Sequence, residues 1–161
     1  MKRVILMTVI VAVSTCSGLT GTEKYQKMKF GDWELHIITD AFGETNAILS
    51  HDPTRQTSMQ ISCNDSAGFY SMHVRHPDPI GWNTHIIPVK YKVGNSGDVV
   101  TEIWAHDYSH DMTYKVDATE LVNAMMPASG NLVFRVLTTD FTPSLKGFTK
   151  AINELDKYCK H

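Results

Sequence analysis

The sequence predicts a mainly β domain, an antiparallel β-sandwich or curled sheet with a C-terminal helix packed on it. Three observations carry that prediction. Short segments of alternating apolar and polar residues recur through the middle of the chain, bounded by clusters of Gly, Asn, Asp and Ser, the pattern of half-buried strands. The connections between them are short, which favours antiparallel hairpins. Near the C-terminus the apolar period lengthens to that of an amphipathic helix.

Taken in order, Thr20 to Lys29 is polar and lysine-bearing without an apolar period, and reads as a tether or loose arm over 17–29. The domain then begins at Phe30-Gly31-Asp32-Trp33 and is expected to fill 30–161. Trp33, Leu35 and Ile37 alternate with Glu34, His36 and Ile38 in a strand that ends near Asp40 and Gly43. Met59, Ile61 and Cys63 alternate with Gln60 and Ser62, which places Cys63 on an inward face at a strand end. The turn residues Asn64 to Gly68 lead into a strand over Phe69 to Arg75. His85 to Val93 reads as a further strand in which Pro88 marks an edge or a bulge. Asn95-Ser96-Gly97-Asp98 turns the chain into Val99 to Ala105, and Met112 to Val116 is a short strand. Asp117 or Thr119 caps a helix through Met125, stopped by Pro127 and Gly130. A strand over Leu132 to Thr138 follows. The clearest helix spans Phe148 to Lys160, where Phe148, Ile152, Leu155 and Cys159 form one stripe. Trp33 and Trp104 fall within strand patterns and read as core.

The first sixteen residues have the layout of a signal peptide. Lys2 and Arg3 form a positive n-region, Val4 to Val13 is apolar except for Thr8, and small residues follow. A run of that length suits an h-region and is far short of the roughly 20 apolar residues that span a bilayer. Val13-Ser14-Thr15-Cys16 resembles a lipobox, in which Cys16 becomes the lipidated first residue, although Thr15 departs from the usual small residue there. Two routes are open: a lipid anchor on Cys16, or ordinary cleavage between Ser17 and Thr22. Either removes or consumes Cys16, leaving Cys63 and Cys159. An even remainder in an exported chain reads as one disulfide.

Loss of Lys2 and Arg3 lowers the basic count from 15 to 13 against 17 acidic residues, a net charge of −4. Such a chain lacks the clustered basic face that nucleic acid requires. Membrane association is expected only through the lipid on Cys16.

Of the eight histidines, the densest group is His106-Asp107-Tyr108-Ser109-His110-Asp111. Two imidazoles and two carboxylates in six residues are ligand types that divalent metals favour, so His106, His110, Asp107 and Asp111 are the candidate metal set. The segment follows a strand, carries no apolar stripe and reads as a solvated acidic loop. His73 and Arg75 fall on one strand face and His76 on the other, which argues against a shared site. Gly-x-Ser-x-Gly and His-Glu-x-x-His do not occur, so neither a nucleophile elbow nor a metalloprotease helix is written here. Gly94-Asn95-Ser96-Gly97 reads as a turn. Trp82 and Asn83, in a Pro-rich loop, are candidate partner-binding residues, since an exposed tryptophan is a common anchor. From Asp98 to Glu120 six acidic residues face Lys115 alone, an acidic surface.

Gly31-Asp32-Trp33, a central strand ending in Cys63, and Ser144-Leu145-Lys146-Gly147-Phe148-Thr149-Lys150-Ala151 occur in an order that resembles the invasion-associated locus B family of bacterial envelope proteins. The late helix ending in cysteine is also similar, more loosely, to periplasmic accessory proteins of type VI secretion. The first family has a cysteine soon after its opening tryptophan, where this chain has His36 and Ile38. The resemblance implies an exported, non-enzymatic β-sandwich tied to the envelope or to host interaction, with no catalytic residues and no cofactor. The reading is therefore a binding or accessory module in the periplasm or at the outer membrane, with a protein or envelope component as partner. Two alternatives stand beside it. One is a metal-binding protein or metal-assisted hydrolase using the His106/His110 loop. The other is an envelope inhibitor or immunity lipoprotein that plugs a partner with a loop such as Gly81-Trp82-Asn83.

Overall fold

Alternation of period two dictates strands, and in a computed structural model ten of them among the described residues join into one antiparallel sheet. The structure describes residues 23–52, 57–64, 68–76, 86–95, 97–107 and 112–159. The strands are β1 (Lys24–Phe30), β2 (Trp33–Thr39), β3 (Thr45–His51), β4 (Ser58–Asn64), β5 (Phe69–Arg75), β6 (Ile86–Val93), β7 (Val100–Asp107), β8 (Met112–Lys115), β9 (Leu132–Val136) and β10 (Thr139–Phe141). Helix α1 (Thr119–Met125) precedes β9, and α2 (Phe148–Leu155) follows β10 and runs into a 3-10 turn, Asp156–Tyr158. Across the sheet the order is β1-β2-β3-β4-β5-β8-β7-β6-β9-β10. Of the two architectures open to the sequence, the molecule is the curled sheet with α2 packed on it. Among the described residues no helix is long and apolar enough to cross a membrane.

The curl is set by what the inward residues must cover. Trp33, Leu35, Leu49, Ile61, Met72, Val74, Val89, Trp104, Phe134 and the α2 residues Phe148, Ile152 and Leu155 share one core. Burial of large apolar side chains contributes about 1.5–3 kcal/mol each, so bending the sheet around them is favoured over a flat one. The bend brings its two ends together. Ser144, just after β10, accepts a hydrogen bond from Trp33 Nε1 on β2 at 2.8 Å and donates its N–H to His51 Nε2 on β3 at 3.3 Å. On its other side Ser144 bridges Asn131 at the start of β9. No ladder closes the ring; the backbone of Ser144, with that of Lys146 two residues on, spans the gap.

The same junction uses two glycines. Gly31, in the β1–β2 turn, has φ +64° and Gly147, before α2, has φ +88°, conformations that side chains with a Cβ rarely adopt. A Cβ on Gly31 would lie 2.3 Å from the Lys146 oxygen, and one on Gly147 would lie 2.2 Å from the Phe30 oxygen. Asp32 N–H donates to the Lys146 carbonyl at 3.2 Å, and the rings of Trp33 and Phe148 are 4.8 Å apart.

Several elements differ from the sequence expectation. The arm over 17–29 is, from Lys24 onward, edge strand β1, paired with β2 through its whole length. An edge strand exposed on most positions shows no apolar period. Strand β3 was not expected, because Leu49, Ser50 and His51 are all buried and mask the alternation. Strand β10 lies beyond the strand expected over Leu132 to Thr138, which runs through the two-residue turn, because that turn has Leu137 at φ +54° where Gly or Asn is the usual signal. Pro88 forms no bulge: the β6–β7 register runs unbroken through Pro88↔Ile103. The β9 ladder begins only at Val89, so Pro88 sits where β6 is locally an edge. The N-cap of α1 is Ala118, with Asp117 Oδ1 accepting the Thr119 N–H at 3.0 Å. Finally, α2 stops at Leu155, so Cys159 lies past the 3-10 turn in extended backbone instead of on the helical stripe. From there it is disulfide-bonded to Cys63, 96 positions away in sequence, with Cα atoms 5.7 Å apart.

Candidate functional site

The acidic segment from 98 to 120 does not form one surface. Glu102 stands opposite Val89 on the inward face of β7, where its carboxylate accepts hydrogen bonds from Tyr91 Oη at 2.9 Å and Trp104 Nε1 at 3.1 Å and pairs closely with Lys115 Nζ. Burial alone would raise its pKa; the bonds from Lys115, Trp104 and Tyr91 outweigh that and hold it below the usual carboxylate range. Burial, reinforced by the bond to Glu102, raises the Tyr91 phenol. Every polar atom of this group is matched by another, which makes it a structural hub.

The His106 group is also placed differently from expectation. His106 belongs to β7, opposite Thr113, and is buried; it is not in a solvated loop, because β7 continues through Asp107. His110, Asp111, Trp82, Asn83 and Cys16 lie outside the described residues, as does the side chain of Asp107. Among the described residues, no three His, Cys, Asp or Glu side chains are placed to share a metal ion.

One histidine–serine pair has the spacing of a nucleophile and its base. His36 Nε2 is 3.2 Å from Ser50 Oγ, and its Nδ1 is 2.6 Å from Tyr25 Oη. Ser50 is only 4% exposed, so its hydroxyl is not presented to a substrate. The nearby Glu34 lies 3.9 Å away on the Nε2 side and is engaged by Lys27 at 2.6 Å, not positioned to orient the ring from Nδ1 as a triad acid must. The hydrogen bond from Lys27 lowers the Glu34 pKa.

What the fold does present is apolar surface in two places. On the outer face of the sheet, Pro88 stands opposite Ile103 and Ile86 opposite Ala105, giving a two-by-two apolar block. Ile86 is 63% and Ile103 60% exposed. The next residues outward on the same face of β6 are Lys90 and Lys92, with Lys90 opposite Arg135 and Lys92 opposite the exposed Val133 on β9. Arg135 is paired with Asp140, which leaves the two lysines as the local charge. The sequence carries a signal for this block: Ile86-Ile87-Pro88-Val89 is apolar on both strand faces, more than one core requires. The second place is Phe42, in the β2–β3 turn, the most exposed large apolar residue among those described. An aromatic inside the turn sequence Asp40-Ala41-Phe42-Gly43-Glu44 was its only signal.

No protein-family model, curated protein or solved structure matches the chain, so the functional reading rests on these residues themselves.

Proposed function

We propose that the chain is an exported, non-enzymatic binding or accessory module of the bacterial periplasm or outer membrane, one that docks a protein through the outer face of β6, β7 and β9. The apolar block of Ile86, Pro88, Ile103 and Ala105 beside Lys90 and Lys92 carries this reading. Aliphatic side chains exposed together on a sheet face remain in contact with water at a cost that a partner removes. The lysines favour a partner whose contact surface is apolar with an acidic margin, since complementary charge steers encounter and fixes register. The signal-like first sixteen residues and the Cys63–Cys159 bond support an oxidising compartment outside the cytoplasm. The resemblance to the invasion-associated locus B proteins implies the same kind of role.

Quantitative affinity capture from envelope extract, comparing the natural chain with an Ile86→Ser, Ile103→Ser variant of unchanged thermal stability, tests the docking face. The expected result is loss of a discrete partner from the variant. An identical capture profile, or turnover of a defined substrate by the purified domain, overturns the proposal. Export is tested by the intact mass of the protein from the envelope fraction, which is expected to lack the leader and the two thiol hydrogens of Cys63 and Cys159. A full-length cytoplasmic species overturns it.

A further inference from the structure

Near its tip the β2–β3 hairpin parts from its neighbour β4 on one side. Its ladder continues to Thr39↔Thr45, whereas the β3–β4 ladder ends at Ile48↔Ser62. β4 itself runs on to Asn64 in its ladder with β5, so β3 and β4 part beyond that rung, and a cleft of about 190 Å³ opens where they separate, lined by Thr45, Ile48, Ser62, Cys63 and Tyr158 among others. The tip of the hairpin is tightly organised. Asp40 Oδ1 accepts the N–H of Phe42 at 2.8 Å and of Glu44 at 2.9 Å. Asp40 N–H donates to the Glu44 carbonyl at 2.9 Å, and Gly43 N–H donates to the Asp40 carbonyl at 3.1 Å. Gly43 takes φ +83°, which closes the turn at no steric cost. Phe42 is 92% exposed on this frame.

An aromatic ring held out by four hydrogen bonds within five residues is not an incidental surface residue. A ring left to fold back could cover Ile38, which is 39% exposed on β2 with the 59% exposed Tyr25 opposite it on β1. Because the turn holds Phe42 away from its own sheet, little conformational freedom remains to be lost when a partner covers it. The flanking charges decide what that partner is. Within the turn the only charged residues are Asp40 and Glu44, two carboxylates against Lys24, which stands opposite Thr39 at the base of the tip. An anionic bilayer would be repelled by them, while a recess bordered by Lys or Arg would be attracted.

We infer that this hairpin is a docking finger that seats Phe42 in an apolar, basic-rimmed recess of a partner protein. It deepens the binding-module reading and rests on it, but it uses a different part of the molecule from the β6–β7–β9 face. The finger supplies the anchor, and the cleft beside it leaves room for the rim of the recess to close against the hairpin.

The test places a photo-reactive benzoylphenylalanine at position 42 of the full chain in cells, with and without Asp40→Ala. A discrete protein adduct is expected, with a much lower yield when Asp40 is replaced and the turn loosened. The cross-linked peptide of the partner should be apolar and contain Lys or Arg. With that partner purified, Phe42→Ala is expected to weaken binding by about 10-fold or more, the loss typical of a central aromatic anchor, and Phe42→Trp by less than about twofold. A lipid adduct, a self-adduct, no adduct, or an affinity indifferent to Phe42→Ala overturns the inference. So does binding of purified protein to phosphatidylglycerol vesicles that depends on Phe42. Loss of the partner with Ile86→Ser, Ile103→Ser but not with Phe42→Ala sinks the finger alone; indifference to both sets of changes sinks the binding module with it.

Discussion

Ser144 fastens the two ends of the sheet through its own C=O and N–H, and the acceptor of its N–H is an imidazole. His51 Nε2 can accept the Ser144 N–H only while it carries no proton. Burial lowers the His51 pKa from its ordinary 6.5, opposed by Asp32 and Asp52 nearby. A histidine whose folded pKa is depressed binds its proton more readily when unfolded. Its contribution is therefore fully present above pH 6.5 and is lost as the pH falls from there through the lower folded value. Thermal unfolding followed from about pH 7 to about pH 5, the range in which histidine titrates, should show a falling midpoint, and His51→Gln should flatten that slope. A natural chain with no slope in that window refutes the clasp. Gly147 presents a steric version of the same junction. Gly147→Ala forces a Cβ toward the Phe30 oxygen in a left-handed conformation, and is expected to cost about 2–4 kcal/mol in denaturant unfolding. Gly43→Ala, where a Cβ would meet nothing within 4 Å, should cost only about 1 kcal/mol, since backbone strain alone remains.

Among the elements, β7 carries both the core tryptophan Trp104 and the carboxylate that binds it. Glu102→Gln removes the charge facing Lys115 and is expected to cost about 1.5–3 kcal/mol, the range for hydrogen bonds to charged groups. Adding Lys115→Met should recover part of that loss, because the unpaired ammonium goes with it; additive losses in the double variant would show that the two groups do not act as a pair. Since the folded Glu102 carboxyl is held below its ordinary 4.5, its contribution is present above pH 4.5 and lost as the pH falls beneath it. These elements also show what the sequence discloses. Strands with one buried face, such as Trp33 to Ile37 and Phe69 to Arg75, are visible through period two. Edge strand β1 and strand β3 are not, because exposure on both faces or burial on consecutive positions erases the period. The inward turn of Glu102 is equally hidden, since a charge reads as surface until Lys115, thirteen positions on, meets it. The Phe42 finger was hidden for another reason: an apolar residue in a turn is ambiguous until its exposure and its hydrogen-bonded frame are known.

At the scale of the whole molecule, the short motifs Gly31-Asp32-Trp33 and Ser144 to Ala151 turn out to be one structure. They stand at opposite ends of the domain's sequence and meet where the curl closes, so both can be read as the parts of a latch. The disulfide is a second, independent fastening at the end of α2. It ties β4 to the residue after the 3-10 turn, across 96 positions. That turn is also held by Tyr70 on β5, whose hydroxyl donates to Asp156, and α2 keeps its own buried face of Phe148, Ala151, Ile152 and Leu155. Native contacts therefore already position the C-terminus, and the bond should act mainly by restricting the unfolded chain. The chain-entropy account gives about 4.7 kcal/mol for a loop of about 100 residues, with about 2–4 kcal/mol usual in practice. Replacing both Cys63 and Cys159 by Ser is thus expected to lower the unfolding midpoint by on the order of 10 °C. The pattern of amide protection should stay the same, with α2 and β4 still among the slowest-exchanging segments. If protection is instead lost selectively in 148–159 while the midpoint holds, the bond is a local clamp on the helix, and the latch at Ser144 alone keeps the sheet curled.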